Sequence, residues 1–257
     1  MYNSRMRVAI DIGNSSINIG FFIDERLIVQ KLDTFPLKSP SEYLDLILKA
    51  QRENSIEKTA EVVIISSVVP GHTEALFEAG LRLSGKAPVR VGAGQIKGLR
   101  IDVKSPTEIG EDRLAASLAA CELFGSPVAV VDFGTATTVN FVGGGDVFKG
   151  GAIMPGIGLM KEALFKKTAQ LPDVQIRKPM SPIGKDTAES IISGIVYGAA
   201  GAIERIIGEA ERADGESYKV VLTGGYAGLV SPFMKRKVFI EPDLTLKGLR
   251  IIYERGR

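Results

Sequence analysis

Histidine and cysteine are almost missing from this chain, and tryptophan is absent: 257 residues hold one of each of the first two, His72 and Cys121. A lone cysteine forms no internal disulfide, and one histidine beside one cysteine makes no Cys/His metal cluster. Any chemistry must therefore rest on carboxylates, hydroxyls, backbone amides and hard cations held by oxygen. Charge of one sign is also lacking, since 32 Lys and Arg face 30 Asp and Glu for a net charge of +2. That removes the polybasic footprint of a nucleic-acid or anionic-membrane partner. No run approaches the ~20 apolar residues of a bilayer span, and residues 1–7 show no apolar core of a signal peptide. The expectation is a cytoplasmic protein, with Met6 as an alternative start and the Asn14-Ser15-Ser16 sequon without meaning. Glycine, by contrast, is plentiful at 29 residues, about 11% against a usual ~7%. Backbone is being brought close to something repeatedly.

Length and composition fit one or two ordinary globular domains. Residues 7–11 (RVAID) read as a buried strand ending in an acid, and 17–22 and 26–32 follow at hairpin spacing. A capping box at Ser39 and Glu42, with Pro40 in the first turn, predicts a helix whose apolar face carries Leu44, Ile47 and Leu48. A strand at 61–67, a helix at 73–83, a short strand at 89–91 and a helix at 108–124 complete the first half. Then the pattern restarts. Residues 128–132 (VAVVD) are an apolar strand ending in an acid, followed by strands at 138–142 and 147–153. Helices at 157–167 and 186–213, a strand at 219–222, a short helix and a strand at 238–240 come next. Such βαβ alternation predicts α/β sheets with helices packed on them.

The two halves match residue by residue at their first turns. Asp11-Ile12-Gly13-Asn14-Ser15-Ser16 and Asp132-Phe133-Gly134-Thr135-Ala136-Thr137 share a strand, a terminal Asp, Gly two positions on and hydroxyls beyond, 121 positions apart. One D-x-G is as readily an ordinary β-turn; two, each at the mouth of the first strand of a half, point to internal duplication. Two facing turns of this kind are expected to hold a polyphosphate, with backbone amides aimed at its oxygens. The acids would serve the accompanying cation, because Mg²⁺ travels with nucleotide phosphates and takes oxygen ligands.

Other segments are weaker signals. Residues 80–87 (GLRLSGKA) nearly spell a P-loop, but Ala87 lacks the hydroxyl and Pro88 leads into a strand. Gly92 and Gly94 do not extend to a dinucleotide fingerprint. Glu108 to Arg113 places a carboxylate beside a guanidinium at a helix start, which offers a base with an anion clamp or simply an exposed capping turn. Gly224 and Gly225 after a strand leave room for a flat base against backbone. Gly194, Gly198 and Gly201 share one helix face, which suits close packing against another element such as a second subunit. Glu189, Glu204 and Arg205 exclude a membrane span there. Cys121 is expected as a buried small residue and His72 as a helix-start residue, neither catalytic.

In order along nearly the whole chain, these segments resemble the type III pantothenate kinases of the acetate and sugar kinase/actin superfamily. The resemblance is carried by DIGN at 11–14, SSVVP at 66–70, GEDR at 110–113 and DFGTATT at 132–138. It continues through GGAIMPG at 150–156, TAQLP at 168–172, IGKDT at 183–187 and LTLKGL at 244–249. It implies two ribonuclease-H-like α/β domains of duplicated actin-like topology with a central cleft, at 1–120 and 121–257. The implied activity is ATP-dependent phosphorylation of pantothenate, the first step of coenzyme A biosynthesis. It further implies that Asp11, Ile12, Gly13, Asn14, Ser15, Ser16 and Thr135 contact ATP, with Asp11 also on Mg²⁺; Gly224 and Gly225, from their place after a strand, are expected to contact its adenine. By the same resemblance Asp132 holds a monovalent cation (K⁺ or NH₄⁺), and Gly110, Glu111, Asp112, Arg113 and Thr187 contact pantothenate. Asp112 would be the proton acceptor, and a homodimer would complete the pocket. Three positions depart from the family pattern: Ser15 for Thr, Val103 for a pantothenate-contacting Tyr, and Asn140 for Asp. Two other readings stand beside it: a nucleotide-binding regulatory accessory protein on the same fold, or a kinase or phosphohydrolase for another small molecule.

Overall fold

The computed structural model describes residues 6–92 and 96–257, so residues 1–5 and Gly94 of the glycine pair lie outside the described residues. The chain divides into two compact units. One takes the described residues of Met1–Gly98 with Ser105–Ala119 and Leu244–Arg257; the other takes Leu99–Lys104 and Ala120–Asp243.

In the first unit β1 (Met6–Ile12), β2 (Ser16–Ile23) and β3 (Arg26–Asp33) form an antiparallel meander. After α1 (Pro40–Glu53), β4 (Ala60–Ser67) pairs parallel with β1. After α2 (Pro70–Ser84), β5 (Val89–Arg90) pairs parallel with β4, so the sheet order is β3-β2-β1-β4-β5. Strand alternation sends Val8, Ile10 and Ile12 into one core with Val63 and Ile65, against Tyr43 and Ile47 of α1 and Leu76 and Ala79 of α2. Each such fully buried aliphatic contributes roughly 1.5–3 kcal/mol of transfer free energy. The predicted capping box is formed: Glu42 N–H donates to Ser39 Oγ while Ser39 N–H donates to the Glu42 carboxylate at 2.7 Å. Helix α2 starts at Pro70, three residues before the expected start, because proline at the first helical position needs no partner for its nitrogen. His72 thus sits in the first turn, where it is buried and 2.6 Å from the Tyr43 hydroxyl.

In the second unit β7 (Val128–Phe133), β8 (Ala136–Gly143) and β9 (Val147–Pro155) repeat the meander. Helices α4 (Ile157–Lys167) and α5 (Thr187–Asp214) lead to β10 (Lys219–Gly224), parallel to β7. The short α6 (Ala227–Val230) precedes β11 (Val238–Ile240), parallel to β10. The order is β11-β10-β7-β8-β9, with β6 (Arg100–Ile101) added beside β9. Helix α5 is long and apolar enough to cross a membrane by length and composition. It instead buries Ile192, Ile195, Val196, Ile203 and Ile207 in the core formed with Val131, Val139 and Leu222.

Two segments are traded relative to contiguous halves at 120 and 121. The division falls inside α3 (Glu111–Phe124), after Ala119, but β6 belongs with the second sheet and α7 (Leu244–Gly256) with the first unit. Strand pairing decides the first trade and an apolar stripe of Leu246, Leu249 and Ile252 the second. The reading that ended with a strand at 238–240 missed α7, because Gly248 interrupts its pattern. Cys121 is half-buried rather than buried, lying past the packed stretch of α3 that ends at Ala120.

Candidate active site

Asp11 stands one residue from the end of β1, in register with Asn18 of β2 and Ser66 of β4. Asp132 holds the same place in β7, in register with Thr138 and Thr223. Both carboxylates are half-exposed, each flanked by buried residues. The turn after Asp11 contains Gly13, Asn14 and Ser15 before β2 opens at Ser16. The turn after Asp132 contains only Gly134 and Thr135 before β8 opens at Ala136. The ungapped match of the two motifs therefore holds to the glycine and slips by one beyond it: Ile12 pairs with Ile17, whereas Phe133 pairs with Thr137.

Asn14 and Ser15 are exposed at the tip of the first turn, which Gly13 N–H closes onto Ser16 O at 3.0 Å. Ile12 offers only its backbone there, since its side chain is buried in the core and its carbonyl accepts from Val68 N–H at 3.1 Å. Thr34, buried directly after β3, donates its hydroxyl to Gly13 O at 2.7 Å and its N–H to Ser15 O at 3.3 Å. On β4 the buried Ser66 hydroxyl has no hydrogen-bond partner.

In the second unit Asp132, the Gly134–Thr135 turn and Gly224 come together. Gly224 adopts φ +84°, and a Cβ there would fall within 2.4 Å of Asp132 Oδ1. Only glycine takes both that conformation and that approach. Gly225 beyond it is exposed. Asn140 is buried and donates to Thr138 Oγ1 at 3.2 Å. Val103 packs near Gly150 of β9.

Gly110 to Arg113 open α3, with Arg113 N–H and Leu114 N–H both bonding Gly110 O. Asp112 Oδ1 accepts from Arg113 N–H at 2.8 Å, which leaves the other carboxylate oxygen clear of that bond. Burial pulls the Arg113 guanidinium below its usual pKa, and the Asp112 charge opposes that shift. Thr187 is the first residue of α5, exposed beside the cap residue Asp186, whose Oδ1 accepts from Glu189 N–H.

Among the described residues no three His, Cys, Asp or Glu side chains converge on a metal position. A cation here would be held by one carboxylate together with backbone, hydroxyl or ligand oxygens. That donor set fits Mg²⁺, which keeps waters and substrate phosphates beside one or two carboxylates. It also fits a monovalent ion. The unpartnered Ser66 hydroxyl is consistent with a group arriving from outside the chain, whereas the space beside Gly224 is filled by Asp132 and the Phe133 backbone.

Sequence reasoning missed Thr34 and Gly156, each the residue after the third strand of its unit. Thr34 carries no motif signal, and Gly156 closes the GGAIMPG segment without a role read for it; strand register shows that the two correspond.

The model of the type III pantothenate kinase family matches residues 7–209. Curated relatives named type III pantothenate kinase include that of Moorella thermoacetica, 40% identical over 98% of this chain and 100% of the relative. That of Dehalococcoides mccartyi is 37% identical over 98% of both. Among solved structures, a conserved putative Baf family transcriptional activator from Campylobacter jejuni superposes with TM-score 0.62 at 18% identity, covering 97% of this chain and 98% of the other. The Acidaminococcus fermentans (R)-2-hydroxyglutaryl-CoA dehydratase component A superposes with TM-score 0.58 at 12% identity, covering 98% and 99%. These likenesses show an α/β fold of the acetate and sugar kinase/actin type.

Proposed function

This chain belongs to the type III pantothenate kinase family, which phosphorylates pantothenate with ATP in coenzyme A biosynthesis, and from that premise we propose how its residues divide the work. The accessory-factor and phosphohydrolase readings are not favoured, since the curated relatives carry the kinase name across their full length.

Phosphoryl transfer asks for alignment and charge neutralisation more than covalent help. The Asp11–Ser16 turn takes the ATP phosphates on its amides and hydroxyls, and Asp11 takes Mg²⁺. Thr135, Gly224 and Gly225 contact ATP, and Asp132 holds K⁺ or NH₄⁺. Bound cations supply neutralisation of phosphate charge. Gly110, Glu111, Arg113 and Thr187 position pantothenate, with Arg113 as the clamp for its carboxylate. Asp112 accepts the proton of the primary hydroxyl as its oxygen bonds the γ-phosphorus of ATP and the bond from that phosphorus to the β-phosphate oxygen breaks, ADP leaving. The observation that carries this assignment is the Asp112–Arg113 pair on the first turn of α3: a half-exposed carboxylate oriented by its neighbour's amide, beside a partly desolvated guanidinium.

Asp112→Asn is expected to lower kcat by about 10²–10⁴-fold, the usual contribution of a general base, while folding and ATP binding persist. An ADP-release assay with pantothenate, Mg²⁺ and K⁺ reads this, and turnover like the parent enzyme's would remove Asp112 from the role. The protein acts in the cytoplasm as a homodimer. The exposed face of α5, where Gly194, Gly198 and Gly201 have open space around them, suits the partner subunit.

A further inference from the structure

The two strand-end turns are tied down by the same residue of each unit in different ways. Ser16 pairs with Asp33 and Ala136 with Pro155, so Thr34 and Gly156 are the equivalent next residues. Each donates its N–H to the last carbonyl of the turn, Thr34 to Ser15 O and Gly156 to Thr135 O at 3.1 Å. In the second unit the approach is so close that a Cβ on Gly156 would fall 2.3 Å from Thr135 O and 2.5 Å from Gly134 O. In the first unit the turn is one residue longer. There a side chain fits, and the Thr34 hydroxyl reaches Gly13 O, the counterpart of the Gly134 carbonyl.

We infer that Thr34 is a positioning residue for the phosphates of ATP, an inference that rests on the Asp11 turn being their seat. In a trans peptide the C=O and the following N–H point in opposite directions. By drawing Gly13 O and Ser15 O toward itself, Thr34 turns the N–H groups of Asn14 and Ser16 away from itself; that of Ser16 faces Gly13 across the hairpin, on the side where Ser16 O accepts from Gly13 N–H, and that of Asn14 is left at the exposed tip. The Asn14 amide is thereby preset as an anion donor before the nucleotide arrives. Gly13 has little to resist a flip of its peptide plane, so the hydroxyl is what keeps this amide outward.

The test is steady-state kinetics of Thr34→Val, Thr34→Ser and Asp11→Asn, with ATP and pantothenate varied separately and folding followed by thermal unfolding. Thr34→Val is expected to raise KM for ATP about threefold to tenfold, the worth of one hydrogen bond. kcat and KM for pantothenate stay within about twofold, and Thr34→Ser restores the parent values. Should Thr34→Val be recovered unfolded, Thr34→Ala carries the same expectation. An unchanged KM for ATP in Thr34→Val, with Asp11→Asn impaired, overturns the inference and leaves the phosphate seat standing. So does a fall in kcat matching a lost folded fraction with both KM values unchanged, or failure of Thr34→Ser to restore. If Asp11→Asn itself behaves like the parent enzyme, the seat is wrong and the inference falls with it.

Discussion

The sheets of the two units follow one order, β3-β2-β1-β4-β5 in the first and β9-β8-β7-β10-β11 beside β6 in the second, yet the units differ in how they close their strand-end turns. Where β4 ends, Ser67 builds a side-chain turn, its hydroxyl accepting from Val69 N–H at 3.0 Å and from Thr73 Oγ1 at 2.6 Å on the way into α2. At the equivalent place β10 ends on Gly224, left-handed and pressed against Asp132. Thr34 and Gly156 repeat the contrast. The first unit fastens its turns with hydroxyls, and the second closes them by backbone contact that leaves no room for a Cβ. Hydroxyl fastening tolerates substitution at the cost of a hydrogen bond; backbone contact does not tolerate it.

The largest effect expected from that contrast follows Gly156→Ala. The new methyl meets two carbonyl oxygens of the turn at well under contact distance, and overpacking of this kind costs about 1–3 kcal/mol. Thr34→Ala in the first unit removes one neutral hydrogen bond, about 1 kcal/mol. Denaturant midpoints of the two variants measure the difference. Equal losses would break the comparison, and a larger loss for Thr34→Ala would reverse it.

A second contrast lies at the far end of the second meander, where β9 bulges at Lys149 between Phe148 and Gly150. Lys149 Nζ donates to Asp214 at 3.0 Å and to Glu216 at 3.1 Å, and Tyr218 donates its hydroxyl to Asp214. Against the burial that opposes it, bonding to Tyr218 and Lys149 holds Asp214 below its usual pKa; the bond from Gly144 N–H and then Lys149 lower that of Glu216. A carboxylate whose folded pKa is depressed adds stability that is present above its unfolded pKa and lost as pH falls through the folded one. Stability supplied by this cluster is therefore full above about pH 4.5 and declines below it. Lys149→Met is expected to flatten that acid decline, by well under 1 kcal/mol for so accessible a group. Urea titrations between pH 3 and 6 read it, and an unaltered slope would show that the lysine does not set these pKa values.

The contrast also explains what was legible in the sequence. The duplication, the first three strands of each half and the capped helix at Ser39 were readable because they rest on local signals: β-branched alternation, an acid at a strand end, a capping box. Helix α5 was readable from Asp186 to within one residue of its end for the same reason. Local patterns marked the two acidic turns, the Glu108–Arg113 segment and Gly224, whereas the family resemblance supplied their roles and Thr187. What escaped depends on partners far along the chain. β6 is a strand only because β9 lies beside it, and α7 packs on elements more than 100 residues earlier, Gly248 against Ala115 and Leu246 beside Gly20, with Arg7 meeting Glu254 at 2.6 Å. The one-residue slip between the two turns is invisible until register is known, and with it the pairing of Thr34 with Gly156.

The smallest expected difference between the units concerns a device they share. Ser39 and Asp186 both cap a helix, each accepting from the N–H of a glutamate three residues on, and each glutamate returns a bond to backbone, Glu42 to Ser39 and Glu189 to Lys185. Because both caps are exposed and local, neither depends on how its unit closes its turns. Ser39→Ala and Asp186→Ala are therefore expected to destabilise by similar amounts, about 0.5–2 kcal/mol, the only pair of equivalent changes for which the units should agree. Thermal unfolding of the two variants decides it. A marked excess for Asp186→Ala would mean that the start of α5 is held by more than its cap, and would bring Thr187 beside it into question as a residue free to meet substrate.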